Sequence, residues 1–400
     1  MADIEKTVDI EKLVEENYDF LVEVRKYFYR HAELSGQEYE TSAFIRKYLN
    51  KWEVPYEVVP GHTSIVATIN GEKPGKTIAI RGDFDALPIT ENTGVEYSSE
   101  HEGVMHACGH DVHATYMLGA AKILKDLKAQ IPGTVKILFQ EAEETGEGAD
   151  RIIKAGLFEG VDEVFGLHTA ANEDVGLFTL GSGVMSTYGG AIKIVVNGKG
   201  GHSSVPHKTE NPLLVASQII SALNAFVAYS FDSFDQVVLV PTVFHSGTKS
   251  NIIPDTAELQ YNFRLLDIKY GEILKTRVKE IAENVVASYG AEIEYEFWGP
   301  GTAVINDEKS IARADRLIRK HWGDDAVKYV RPGMGGGDFS KYQELAPGAF
   351  IHVGGAYNGV YKVHHTDKTF IDERAIKYGE ELLLYYAFDY LNNPDERKLA

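Results

Sequence analysis

Apolar side chains recur every three or four residues at Ile10, Leu13, Val14, Leu21, Val24 and Phe28. That period predicts an amphipathic helix over 9–31 with one face buried. A second helix is expected near 38–50, then strands near 64–69 and 77–81. Residues 108–129, rich in Ala, Leu and Ile, read as a third helix. A strand at 134–139, a helix at 149–155 and a strand at 163–167 follow. Alternating strands and helices of this kind imply a layered α/β domain with much of its sheet parallel.

From Tyr188 the order changes. A strand at 191–196 precedes a helix at 211–227, and strands at 236–244 and 258–265 flank a turn containing Asn251 and Pro254. A helix at 270–288 and a strand at 291–297 complete a β-α-β-β-α-β unit, the order of a ferredoxin-like fold. Glycine-rich stretches at 181–190 and Gly299-Pro300-Gly301 bracket it as hinges. The α/β pattern then resumes, with strands expected at 349–353 and 361–363 and a helix from 372 to about 390. The fold class is therefore a layered α/β domain, 1–187 plus 299–400, with an inserted ferredoxin-like α+β satellite at 188–298.

Charge narrows the partners. Lys and Arg number 40 against 59 Asp and Glu, a net charge of −19. Nucleic acid and anionic membranes both require clustered cations, so neither is an expected partner. Cys108 is the single cysteine, which excludes an internal disulfide. The start, Met1-Ala-Asp-Ile-Glu-Lys6, lacks the apolar core of a secretory leader, and apolar runs such as 237–240 are too short to span a bilayer. A cytoplasmic protein is expected.

Chemistry-bearing residues gather where the strands end, which is where open α/β sheets bind ligands. Asp83 and Asp85 follow one strand, and Glu141, Glu143 and Glu144 another. His168 and the pair His364-His365 follow two more, while His106, Cys108, His110, Asp111 and His113 open the third helix. Thiolate, imidazole and carboxylate together suit a zinc-like transition metal. Taken singly, each has an ordinary reading: a packed histidine, a small buried thiol, a solvated glutamate pair. Cys108 and His110 are two apart and share no helix face, so they are expected in a loop or first turn.

Several segments resemble the M20-type metallopeptidases. They are Arg81-Gly-Asp-Phe-Asp-Ala-Leu-Pro88, Met105-His-Ala-Cys-Gly-His-Asp-Val-His113 and Phe139-Gln-Glu-Ala-Glu-Glu144. The likeness continues through His31-Ala-Glu-Leu-Ser-Gly-Gln-Glu38, Gly198-Lys-Gly-Gly-His202 and Asn251-Ile-Ile-Pro-Asp255 to Gly335-Gly-Gly-Asp338 and His364-His365. It is nearest the amidohydrolases of N-acyl amino acids: aminoacylases, hippurate hydrolases and indole-acetyl-amino-acid hydrolases. The resemblance implies two divalent metal ions (zinc, or manganese, cobalt or nickel) held by Cys108, His110, Glu144, His168 and His364. Matching the preceding apolar residue gives His364, whereas counting back from Asp372-Glu373 gives His365. It implies Glu143 as general base, Asp85 as the carboxylate orienting a ligand, and His202 on the reacting oxygen. Asn251 and Arg264 become candidates for a substrate carboxylate, and the satellite for a homodimer contact. The expected partner is a small N-acyl amino acid.

Two positions depart from the family pattern: Glu141 replaces its usual Pro, adding a third carboxylate near the site, and Gly337 replaces its usual Glu. Two other readings remain open. Cys108 could be the nucleophile of a thiol hydrolase, or the chain could be a non-catalytic binder on the same scaffold.

Overall fold

The Asp9 carboxylate accepts the Lys12 N–H at 3.0 Å and caps α1 (Ile10–Arg30). Ile10, Val14, Leu21, Val24 and Phe28 are all buried on one face of that helix. The computed structural model describes residues 8–299 and 301–394. The N-terminal stretch 1–6 and Pro300 of the expected hinge lie outside the described residues. The chain divides into two compact units. One comprises Met1–Met185, Val304–Arg331 and Gly337–Ala400; the other comprises Ser186–Ala303 and Pro332–Gly336.

The first unit is built on an eight-stranded sheet. It contains β1 (Tyr56–Val58), β2 (Ile65–Asn70), β3 (Lys73–Asp83), β4 (Pro132–Gln140) and β5 (Glu163–Ala170), with short strands at Phe178–Leu180, Val327–Tyr329 and Gly348–Gly354. β4, β3, β5 and Gly348–Gly354 are adjacent and parallel, and β1 and β2 form an antiparallel edge. Alternate side chains separate two cores, as a strand's period of two demands. Ile78, Ile80, Val135, Ile137, Phe139, Phe165 and Leu167 join the larger core, while Ala79, Leu138 and Val164 join the smaller. The larger core is filled by α1, α2 (Tyr39–Lys51), α3 (His110–Asp126) and the C-terminal helix Ala375–Asn392. The smaller is covered by α4 (Gly148–Lys154) and the helix Phe339–Gln343. Burial of each large apolar side chain there contributes about 1.5–3 kcal/mol.

Two local readings are corrected. Residues 361–363 form no strand: Gly348–Gly354 already has a neighbour on each side, and Tyr361 and Val363 are exposed. A helix at Glu308–Trp322 goes unnoticed in the sequence, although Asp307 caps it and Ile311, Ala314, Leu317 and Ile318 are buried at helical spacing.

In the second unit, the strands Tyr188–Asn197, Val237–Ser246, Thr256–Leu265 and Glu292–Trp298 form one antiparallel sheet. The helices Pro212–Ser230 and Lys269–Ala287 complete the ferredoxin-like order. Pro212–Ser230 has 19 residues and a mean hydropathy of 1.6, enough by length and composition to cross a membrane. It buries Val215, Ile219, Leu223 and Phe226 while Leu213 and Leu214 stay exposed.

One buried charge site stands apart from the active end. Glu380 is 0% exposed, and neither carboxylate oxygen has a hydrogen-bond partner among the described residues. It fits because Gly119 has no side chain: a Cβ there would lie 2.4 Å from Glu380 Oε1 and 2.7 Å from Leu21 Cδ1. Burial holds the carboxyl well above its ordinary range, with the Glu381 charge adding to the shift and Lys122 opposing it. The folded chain thus keeps a proton that the unfolded chain has lost. Stability is full at acid pH and falls as pH rises above the ordinary carboxylate range, by up to about 1.4 kcal/mol per pH unit. Glu380→Gln removes this dependence, so its melting temperature should decline less with rising pH than the wild type's. Parallel melting curves across that range would refute the account.

Candidate metal centre and active site

Neighbouring strands bring their polar ends together. β3 ends in Asp83 with Asp85 just beyond, residues 141–144 follow β4, and His168 lies near the end of β5. The turn before α3 adds the rest. Gly109 has φ 88°, and a Cβ on it would lie 2.2 Å from Thr169 Oγ1, so both conformation and space require glycine. This turn leaves Cys108 in the loop and His110 as the first helical residue, both buried.

The donor atoms of Cys108, His110 and His168 lie within 4.8 Å of one another. So do those of Cys108, Glu144 and His365, and those of His110, Glu143 and Glu144. Hydrogen bonds set the imidazole tautomers. His110 Nδ1 faces two acceptors, Asp85 O at 3.0 Å and Asp85 Oδ1 at 3.1 Å, so it carries the proton. His110 Nε2 is buried without a hydrogen-bond partner among the described residues, 3.6 Å from Asp83 Oδ1. His168 Nδ1 donates to Thr169 O at 2.6 Å, and its Nε2 stands 3.4 Å from Cys108 Sγ. Imidazole nitrogens beside a thiol and carboxylates are the donor set that a divalent transition metal takes. Burial pushes the Cys108 thiol up to about 12. Burial, with the Asp83 charge adding to it, pushes the Glu143 carboxyl up to about 8.

A second layer holds these groups in place. Asp85 Oδ2 accepts Ser35 Oγ at 2.7 Å and the Glu144 N–H at 3.0 Å, so one carboxylate steadies both His110 and the residue 144 backbone. Asp83, His110 and His113 form a further close group. Asp83 pairs with Arg81, however, and both His113 nitrogens are engaged: Nδ1 with Asp83 Oδ1 at 2.6 Å, Nε2 with the Thr169 N–H at 2.9 Å. His113 is a strut between β3 and β5.

The third carboxylate expected near the site, Glu141, lies on the same loop but is bonded away from the donor cluster. Glu141 turns to the Thr63 N–H at 2.7 Å and Arg151 Nη1 at 2.9 Å, and His62 Nδ1 lies 3.2 Å from it. Both histidines of the 364–365 pair stand at the site. His365 Nε2 lies 3.2 Å from Glu144 Oε1, whereas His364 Nε2 accepts the Ala171 N–H at 3.3 Å beside the His168 ring. His365 has φ 63°, a left-handed turn that separates the two rings. His202, Asn251 and Arg264 belong to the second unit. There His202 Nδ1 accepts the Ser204 N–H at 3.2 Å, Asn251 O accepts the Ser203 N–H at 3.2 Å, and Arg264 Nη1 donates to Phe263 O at 3.0 Å. His202 and Asn251 thus sit on paired segments.

Sequence reasoning missed the contribution of Glu38, Thr63 and Asp338. Each is buried and bonded to residues distant in the chain, and no local spacing announces that.

A buried sheet-end cluster of thiol, imidazole and carboxylate donors is that of a metal-dependent hydrolase. The sequence matches peptidase family M20/M25/M40 over residues 79–389, and the chain belongs to that family. It is a metallo-amidohydrolase or peptidase. It is 38% identical to thermostable carboxypeptidase 1 of Saccharolobus solfataricus, over 92% of this chain and 96% of that one. It is 35% identical to an N-acetylcysteine deacetylase of Bacillus subtilis, over 89% and 93% respectively. The crystal structure of the Bacillus subtilis YXEP protein, a dinuclear metal-binding peptidase of the M20 family, superposes with a TM-score of 0.83 at 30% identity, covering 94% of this chain and 99% of that one.

Gly337 affects the centre directly, since a Cβ there would lie 3.1 Å from Glu143 Oε1. Gly337→Ala should therefore shift Glu143 by a few tenths of an ångström and lower kcat by up to about tenfold with the melting temperature little changed. Unchanged kcat would show that Glu143 does not need that space.

Proposed function

We propose that the protein hydrolyses the amide bond of N-acyl amino acids to a free amino acid and a carboxylic acid. The supporting observation is the convergence of Cys108, His110, Glu144 and His168 beside Glu143 at the end of the sheet. Two relatives, a carboxypeptidase and an N-acetylcysteine deacetylase, share one chemistry by name. Each cleaves the amide formed on the nitrogen of an amino acid.

In this reading Cys108, His110, Glu144, His168 and one histidine of the 364–365 pair hold two divalent ions. Zinc is the first expectation, and manganese, cobalt or nickel suit the same donors. Such ions supply a water acidic enough to attack an amide near neutral pH. Glu143 takes the proton of the attacking water and passes it to the leaving nitrogen. Asp85 keeps the His110 ring in register for its ion. His202 stabilises the negative oxygen of the transition state, and Asn251 and Arg264 take the substrate carboxylate; these three roles rest on the sequence resemblance. The Cys108 nucleophile loses ground, because it leaves Glu143 and Glu144 beside His110 without a role. Family membership displaces the non-catalytic reading.

The second unit carries apolar surface suited to another copy of the chain: Leu213 and Leu214 on its long helix, Val240 and Phe244 on its edge strand. We read the protein as a cytoplasmic homodimer joined there.

Amine release from a panel of N-acyl amino acids should stop on chelation and return with added metal. Turnover that survives thorough chelation would sink the metal reading. Glu143→Gln should lower kcat by about 10²–10⁴ while metal content stays at the wild-type level; retained turnover would remove Glu143 as the base. Light scattering should give a dimer mass that Val240→Lys with Phe244→Lys reduces to a monomer. A monomeric wild type would refute the dimer.

A further inference from the structure

Ala142 has φ 50°, a left-handed conformation that residues with a Cβ seldom adopt. Such backbone persists where its surroundings over-determine it, and it gathers at functional sites. Here it separates two carboxylates. Glu141 goes to Thr63 and Arg151, and Glu143 goes to His110 and Glu144.

The group that holds the turn comes from far away in the chain. The Ala142 N–H donates to Glu38 Oε1 at 2.9 Å, and the Gly36 N–H donates to the same oxygen at 2.8 Å. Glu38 stands at the N-terminus of α2, yet its side chain makes no capping bond to that helix. It is 0% exposed and reaches the catalytic loop instead.

Its protonation follows from counting hydrogens. Thr63 Oγ1 lies 2.9 Å from Glu38 Oε2 and is also bonded to Glu141 Oε2. One hydroxyl proton serves only one carboxylate. Glu141 has Arg151 to balance its charge, whereas the partners of Glu38 are neutral. Burial pushes the Glu38 carboxyl up to about 7. Glu38 is therefore the one that keeps a proton, and a glutamine side chain reproduces that pattern of donors and acceptors.

We propose that Glu38 is a positioning residue for the catalytic loop: by clamping the Ala142 N–H it fixes the left-handed turn that aims Glu143 and Glu144. The proposal rests on Glu143 being the base.

The test measures kcat, KM, metal content and melting temperature. Glu38→Ala should lower kcat by about ten- to a hundredfold with KM within about threefold, while Glu38→Gln stays within about threefold of wild type. Adding Ala142→Gly to Glu38→Ala should restore most of the lost kcat, because glycine adopts the left-handed turn without a clamp. A purely structural Glu38 would show no such rescue. If Glu38→Ala does not fold, Ala142→Val examines the same turn with Glu38 intact and should lower kcat by about tenfold or more. Wild-type kcat in Glu38→Ala or in Ala142→Val, or a Glu38→Ala defect that Ala142→Gly leaves untouched, overturns the proposal. Glu143→Gln is measured alongside. If it retains turnover, the base assignment has failed; if it is inactive while Glu38→Ala is fully active, only the positioning role has.

Discussion

Arg81 is fully buried and binds three groups from separate parts of the first unit. Its guanidinium donates to Gln140 Oε1 at 2.9 Å, pairs with Asp83, and reaches Asp338 Oδ1 at 2.8 Å. Two carboxylates are thereby neutralised by one cation where water cannot reach them. Asp338 in turn accepts the Gln140 amide at 2.8 Å and the Ala149 N–H at 3.0 Å, and so draws the start of α4 into the same lattice. Removing one partner from a buried ion pair commonly costs 3–5 kcal/mol, because the other is left uncompensated. Here the loss would spread further. Asp83 aligns His113, His113 aligns Thr169, and Thr169 lies beside the turn that presents Cys108 and His110.

The centre has two tiers with opposite requirements. The outer tier is saturated: Asp83, Asp85, His113, Glu141 and Glu38 each spend their polar atoms on protein partners. The inner tier is left unsatisfied, with His110 Nε2 the clearest case. A buried nitrogen without a partner is costly in an ordinary core. It persists here because the outer tier forbids the ring to turn away.

The sequence displayed the inner tier more openly than the outer. Cys108, His110, Glu143, Glu144 and His168 are legible because strand ends put them in short motifs, and because their chemical types agree. The layered sheet and the β-α-β-β-α-β insertion are legible from period and order. The direction of Glu141 was not legible, because it depends on Arg151 in α4 and on Thr63 before β2. The His364-His365 choice turns on a single left-handed residue, which periodicity does not reveal. Residues 361–363 have the apolar look of a strand, but the sheet has no free neighbour to receive them.

Gly109 also sets an order of events. Its turn is held from β5, where Thr169 Oγ1 donates to Cys108 O at 3.4 Å from some sixty residues further along the chain. A nascent chain that has made α3 but not yet docked β5 has nothing to hold Cys108 and His110 in their final directions. The donor cluster is thus assembled late, after the sheet, and a half-folded chain offers no finished grip to whichever ion it meets first.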